Sequence, residues 1–160
     1  MTNLSLSAGK FQNILKNLGL SYTVIEFTES TRTAQEAADR VECQLGQIVK
    51  SLIFKGKTSN KGILVLTSGV NRVDEKKISQ YVGEPIGRAD ADFVRTVTGF
   101  AIGGVPPVGH AQPIETYIDE DLMQYPLVWA AAGTPTAVFE LSSSDLVKIT
   151  EGKVVRVKQE

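Results

Sequence analysis

From Ser7 onward the apolar residues Phe11, Ile14, Leu15 and Leu18 recur at i, i+3, i+4 and i+7. That spacing puts them on one helical face, and Gly19 suits a left-handed cap behind them. The β-branched and aromatic run Tyr22 to Phe27 predicts a strand. Thr33 followed three residues later by Glu36 fits a capping box, opening a short Ala-rich helix to about Arg40, with Gly46 in its exit region. The apolar runs Ile48 to Phe54 and Gly62 to Thr67, joined by the polar turn Lys55 to Lys61, predict an antiparallel hairpin. Asp74 caps a helix presenting Ile78, Tyr81 and Val82 and ended by Gly83. A short strand at Ile86 to Arg88 follows, and Asp90 or Asp92 opens a helix with Phe93, Val94 and Val97 inward. Beyond the stretch Gly99 to His110 the pattern predicts a strand (113–118), a short acidic helix (119–125), two strands (127–131 and 136–141), a Ser142-capped helix and a final strand (154–157).

Strands and helices alternate, but the hairpin and the late strand pair are too closely connected for pure βαβ winding. The expected fold class is α/β (α+β), with a mixed, curved sheet flanked by helices. At 160 residues, with no repeat and no linker composition, the chain reads as one domain over 1–160. No stretch approaches the run of about 18 apolar residues a membrane helix needs, and residues 1–12 lack the apolar core of a signal peptide. A cytoplasmic location is expected, with no membrane partner. Seventeen basic against eighteen acidic residues leave a net charge of −1, so no global field draws in nucleic acid, and a polyanion needs a local patch. A single His (His110) and a single Cys (Cys43) exclude a Cys/His zinc site and an internal disulfide.

The same count narrows catalysis. Phosphate-loop, dinucleotide and Gly-x-Ser-x-Gly signatures are absent, and a conventional hydrolase would rest on His110 alone. His110 follows a glycine in a turn-rich loop, where a solvent-facing or locally bonded role is the default. Cys43 reads as a small buried residue. Lys50 interrupts an apolar strand and shares a face with Leu52 and Phe54. Either its stem packs while its ammonium reaches water, or it is a cation at a pocket rim, able to bind phosphate or a developing oxyanion. Four glycines and two prolines fall in the twelve residues from Gly99 to His110, so the backbone there can approach a ligand closely and yet be stiff. Such a loop is either a rigid turn or a source of N–H groups, from Gly104 and Val105, aimed at a carbonyl oxygen. Asp119 to Asp121 reads as a solvated helix start. Arg72, Lys76 and Lys77 read as a solvated helix face or a small phosphate-contacting patch.

Four segments together carry a resemblance: Gly46 to Phe54 with its Val-Lys-Ser-Leu-Ile-Phe core, Leu66 to Lys77, Thr98 to His110, and Ala132-Gly-Thr-Pro135. In this order, over about Leu15 to Val157, the chain resembles the YbaK/ProX family, free-standing relatives of the prolyl-tRNA synthetase editing domain. The resemblance implies a partly barrel-like sheet and hydrolysis of mischarged aminoacyl-tRNA in trans, without metal or organic cofactor. Lys50 then stands for the family's essential lysine, engaging the terminal adenosine and its phosphate. Gly103, Gly104 and Val105, with Pro106 and Pro107, form the loop that positions the ester, and a ribose hydroxyl of the tRNA assists the attacking water. Phe54, Ser68, His110, Gly133 and Thr136 are expected to contact substrate, and Arg72 and Lys77 the RNA. Thr136 stands where many relatives carry His or Arg, and Pro106 adds a proline before the motif proline. The expected partner is the acceptor end of a mischarged tRNA, tRNA(Pro) first, carrying a small residue such as Ala, Cys, Ser or Thr. Prolyl-tRNA synthetase or another translation factor is a further candidate partner, and DNA is not. The rival reading is a non-catalytic module that binds aminoacyl-tRNA or docks on a synthetase.

Overall fold

Gln12 on helix α1 (Leu6–Asn17) shapes the start of the chain. Its side-chain amide accepts the Val24 N–H at 2.8 Å and donates to the Tyr22 carbonyl at 2.9 Å. Backbone groups satisfied by a helix side chain need no neighbouring strand, so the predicted strand 22–27 shrinks to β1 (Ile25–Glu26). The computed structural model describes residues 4–29 and 33–159.

The remaining elements follow their local signals. The Thr33 hydroxyl accepts the Glu36 N–H at 3.1 Å and opens α2 (Ala34–Val41). A 3-10 turn at Leu45–Gln47 leads into the hairpin β2 (Ile48–Gly56) and β3 (Gly62–Ser68). Asp74 caps α3 (Glu75–Val82), which ends at Gly83 with φ 90°. After β4 (Ile86–Arg88), Asp90 and not Asp92 caps α4 (Ala91–Thr98), accepting the Phe93 N–H at 2.8 Å. Next come β5 (Glu115–Asp119), a 3-10 turn at Glu120–Gln124 in place of the predicted acidic helix, β6 (Leu127–Ala131), β7 (Ala137–Ser142), α5 (Ser143–Thr150) and β8 (Lys153–Val155). The last strand is shorter than predicted because the tail leaves the sheet: Lys158 bridges to Val73, and Val157 is fully buried there.

The strands form one mixed sheet in the order β1-β7-β6-β2-β3-β5-β8, with β4 also paired to β2. One face packs on α1, α4 and α5 through Phe11, Leu15, Val94, Leu146, Leu64, Leu66 and Phe139. The other face packs on α3 through Ile78, Phe54, Ile63 and Val65, and on α2 through Ala37, Ala38 and Ile48. β3 is buried on both sides, which is why Gly62 to Thr67 reads as a continuous apolar run. Among the described residues no helix is long and apolar enough to cross a membrane.

One edge of β2 is shared. β6 pairs with it only at Ile48 and Val49, and β4 only from Phe54 to Gly56, so among the described residues no strand lies beside Lys50 to Ile53 on that edge. The Gly69 N–H to Ile48 carbonyl and Gly56 N–H to Lys61 carbonyl bonds show that the even-numbered residues of β2 bond toward β3. The backbone groups of Ser51 therefore face the gap. The loop after α4 lies across it, anchored where the Gly133 N–H donates to the Gly104 carbonyl at 2.9 Å.

Gly104 makes that anchor possible, because a Cβ there would lie 2.6 Å from the Thr134 Cα, and Gly133 holds a φ of 106°. Gly104→Ala is expected to destabilise the protein by about 1–3 kcal/mol through overpacking against backbone. Gly9, inside α1 with nothing within 4 Å of a would-be Cβ, behaves oppositely: Gly9→Ala should stabilise by about 0.5–1 kcal/mol. Thermal unfolding of the two variants checks the pair, and a Gly104→Ala midpoint equal to wild type would refute the anchor.

Candidate functional site

The gap along β2 opens into a cavity of about 330 Å³. Its floor is Ile48 to Leu52, and its sides are Ala34 and Ala37 of α2, Trp129 to Ala131 of β6, and Ala137 and Val138 of β7. Ile102, Gly103 and Val105 of the loop, with Pro135, form the lip. A second cleft of about 580 Å³ shares Ser51, Leu52, Ile102 and Val105 and adds Phe54, Arg72, Glu75 and Arg88. The first space is small and mostly apolar; the second adds the charges of Arg72, Glu75 and Arg88 to an otherwise mostly apolar lining.

Lys50 is the one charged side chain lining the small cavity among the described residues. On its face of β2, Ile48 is covered by α2 and Phe54 belongs to the cluster under α3, so Lys50 emerges between the two helices. It is half-buried, and its Nζ donates to the Asn71 carbonyl at 2.7 Å. Burial pushes its pKa below that of an ordinary lysine, the Arg72 guanidinium pushes the same way, and the Asp119 carboxylate opposes both. Ser51, the next residue, and Thr67, paired with Lys50 across the hairpin, carry buried hydroxyls without a hydrogen-bond partner among the described residues. The Thr67 hydroxyl shares the Lys50 face of the hairpin and the Ser51 hydroxyl lies on the opposite one, and both mark polar capacity that the fold itself does not use.

The lip corrects the expected pair of N–H donors. Gly104 is buried, and its N–H donates to the Ala101 carbonyl at 3.0 Å, so it is spent inside the turn. The N–H groups of Gly103 and Val105 have no partner among the described residues, and both residues line the cavity. Gly103 adopts φ 89°, a left-handed conformation that a side chain would strain.

Of the other expected contacts, several act one layer back. Phe54 and Arg72 line the charged cleft and not the small cavity. Ser68 is fully buried, its hydroxyl donating to the Gly46 carbonyl at 2.7 Å. Pro106 and Pro107 are buried beneath the lip. His110 Nε2 meets the Pro106 carbonyl at 2.7 Å, bracing the loop, and burial holds its pKa below the ordinary histidine range. Gly133 anchors Gly104, and Thr136 lies between the cavity residues Pro135 and Ala137 with its N–H directed to the Thr134 hydroxyl at 3.3 Å. Lys77 Nζ donates to the Lys158 carbonyl at 2.9 Å, on the tail side of α3. Cys43 lies outside the cavity, its thiol pushed up in pKa by burial and by Glu140. Asp119, expected in solvent, is fully buried. Ser51, Trp129 and the alanines of α2 and β6 carry no chemical signature in a sequence, and only the fold brings them to Lys50.

Comparison with known proteins places this geometry. The aminoacyl-tRNA editing domain family matches residues 28–149. The uncharacterized protein YwhH of Bacillus subtilis (strain 168) is 34% identical over 131 residues, covering 82% of this chain and 83% of its own. A protein of Enterococcus faecalis (strain ATCC 700802 / V583), EbsC, named as a candidate Cys-tRNA(Pro)/Cys-tRNA(Cys) deacylase, is 24% identical over 139 residues, 85% of this chain and 84% of its own. The crystal structure of a candidate trans-editing enzyme for prolyl-tRNA synthetase superposes with a TM-score of 0.94 at 47% identity, covering 99% of this chain and 100% of that one. With the fold matched over nearly its whole length and the family matched across the hairpin, the loop and the late strands, this chain belongs to the aminoacyl-tRNA editing domain family.

Proposed function

We propose that the protein is a trans-editing deacylase that holds a mischarged aminoacyl group in the small cavity and the end of the tRNA across the lip, in the charged cleft. The observation that carries this reading is the cavity's composition: one desolvated cation, a glycine backbone at the lip, and neither the chain's His nor its Cys. An aminoacyl ester is already activated, so its hydrolysis needs orientation and oxyanion stabilisation more than a strong protein base. Water attacks the ester carbonyl, the carbon–oxygen bond to the ribose breaks, and the ribose oxygen leaves with a proton, releasing the free amino acid. The Gly103 and Val105 N–H groups are assigned to the carbonyl oxygen, and the Lys50 ammonium to the terminal phosphate or the developing oxyanion. The ribose hydroxyl of the tRNA takes the role of assisting the water.

Apolar walls and a volume of about 330 Å³ suit a small side chain. Ala-, Cys-, Ser- and Thr-tRNA are the candidates, with tRNA(Pro) first and prolyl-tRNA synthetase as the candidate partner. A pocket separates such side chains by only about 1–3 kcal/mol per methylene, so the choice among them is an experimental one. Incubation with the four charged tRNAs, following ester loss, tests the activity; binding without turnover across the panel would favour a non-catalytic module instead.

Lys50→Ala should lower kcat/KM by about 100- to 1,000-fold, the scale of a lost oxyanion contact, while the circular dichroism spectrum stays native. Because the ammonium is the active form, activity is present below the pKa of Lys50 and lost as pH rises through it. The lowered pKa places that alkaline limb below the roughly pH 10.4 of an ordinary lysine. A pH profile corrected for enzyme-free hydrolysis checks this, and a limb that persists in Lys50→Ala would assign it elsewhere. Ser51→Ala removes a buried hydroxyl the fold leaves unpaired, so stability should hold or rise while kcat/KM falls about 5- to 10-fold.

A further inference from the structure

We infer that Asp119 is a positioning residue for Lys50, acting through Asn71. The inference rests on Lys50 being the cation of the proposed site. Asp119 ends β5 and is fully buried. One carboxylate oxygen, Oδ2, accepts the Ser68 N–H at 3.0 Å and the Asn71 side-chain amide at 2.8 Å, and Oδ1 accepts the Asp121 N–H at 2.9 Å. The same Asn71 Nδ2 also donates to Asp121 Oδ2 at 2.8 Å, and Lys158 Nζ lies 3.1 Å from that oxygen. The Asn71 carbonyl is the acceptor that holds Lys50 Nζ. Asn71 thus turns one face to the two aspartates and the other to the lysine.

A buried carboxylate is unfavourable unless it is fully hydrogen-bonded and its charge has a counterpart. Its hydrogen bonds fix the loop after β3; all three partners are donors, so an asparagine there could accept on only one side, with its NH2 facing a donor on the other. The charge does something an amide cannot. Lys50 is driven toward its neutral form by burial and by Arg72, and Asp119 is the carboxylate that opposes them. Arg72 itself lines the larger cleft beside Glu75 of α3 and Arg88 of β4, while the Asp121–Lys158 pair closes the network on its outer side. Asp119 therefore has two effects on one atom: through Asn71 it places the carbonyl that orients Nζ, and through its charge it offsets part of the lowering that burial and Arg72 impose on the Lys50 pKa.

The test compares wild type, Asp119→Asn and Asn71→Ala, each checked for a native thermal transition. The first readout is the pH dependence of Lys50 modification by an amine-reactive acylating reagent, quantified by mass spectrometry; the second is the pH profile of deacylation. In Asp119→Asn the labelling midpoint of Lys50 should fall by about 1 pH unit, and the alkaline limb of kcat/KM should fall with it. Asn71→Ala keeps the carbonyl but frees it from the aspartates, so Lys50 should label several-fold faster and kcat should drop about tenfold, a useful second variant if Asp119→Asn does not fold. Unchanged labelling in the folded variants would overturn the inference. Labelling needs no turnover, so its outcome is separable from that of the deacylase reading: a shifted midpoint in a protein that cleaves no charged tRNA would support Asp119 and refute the activity.

Discussion

The structure depends on a break in strand pairing. β2 is nine residues long and central, yet on one edge β6 holds only its first two residues and β4 only its last three. A continuous neighbour would satisfy the backbone of Ser51 and close the sheet over Lys50. Because the two partners diverge, the middle of a buried strand faces a cavity, and a rigid element can present both a cation and backbone groups to a ligand. A site placed on a strand is held more firmly than one placed on loops alone. Here only the lip is a loop, and that loop is fastened at Gly104 to Gly133 and propped by His110 on the Pro106 carbonyl.

That arrangement accounts for a hydrolytic site without a protein nucleophile or a histidine base. In the proposed reading the cavity confines the aminoacyl group, the lip offers the Gly103 and Val105 N–H groups, and Lys50 brings positive charge in a setting where burial strengthens its reach. Each of these is orientation or electrostatics, the contributions that an activated ester most needs. Desolvating a lysine tends to discharge it, so the site requires a compensating carboxylate. Asp119, fully buried and bonded to Asn71, is the carboxylate inferred to meet that need.

Much of the architecture was legible in the sequence because its signals are local. Thr33, Asp74, Asp90 and Ser142 cap the helices that follow them, and Gly83 ends α3. Lys50 was legible as a polar interruption of an apolar strand, and the resemblance to a known family singled out the loop. What escaped depends on distant partners. The strand at 22–27 was curtailed by Gln12, ten or more residues away. Asp119 looked like an exposed turn opener because its bond to the Asp121 N–H is local, while its burial comes from β3 and Asn71. Gly104 is adjacent in sequence to residues that face the cavity, but its N–H turns inward to Ala101. Ser51 and the small residues opposite it have no signature until the sheet is assembled.

Entry of an aminoacyl group into the gap beside Lys50 is the step on which the proposed mechanism rests. It is tested most directly by NMR titration of the protein with a non-hydrolysable amide analogue of aminoacyl-adenosine. Saturable shifts are expected at Lys50 to Leu52, at Gly103 and Val105, and at Ala130 and Ala131, with the Lys50 side chain among the most affected. Saturable binding that perturbs the surroundings of His110 or Cys43, leaving Lys50, Ser51 and Gly103 unmoved, would contradict it.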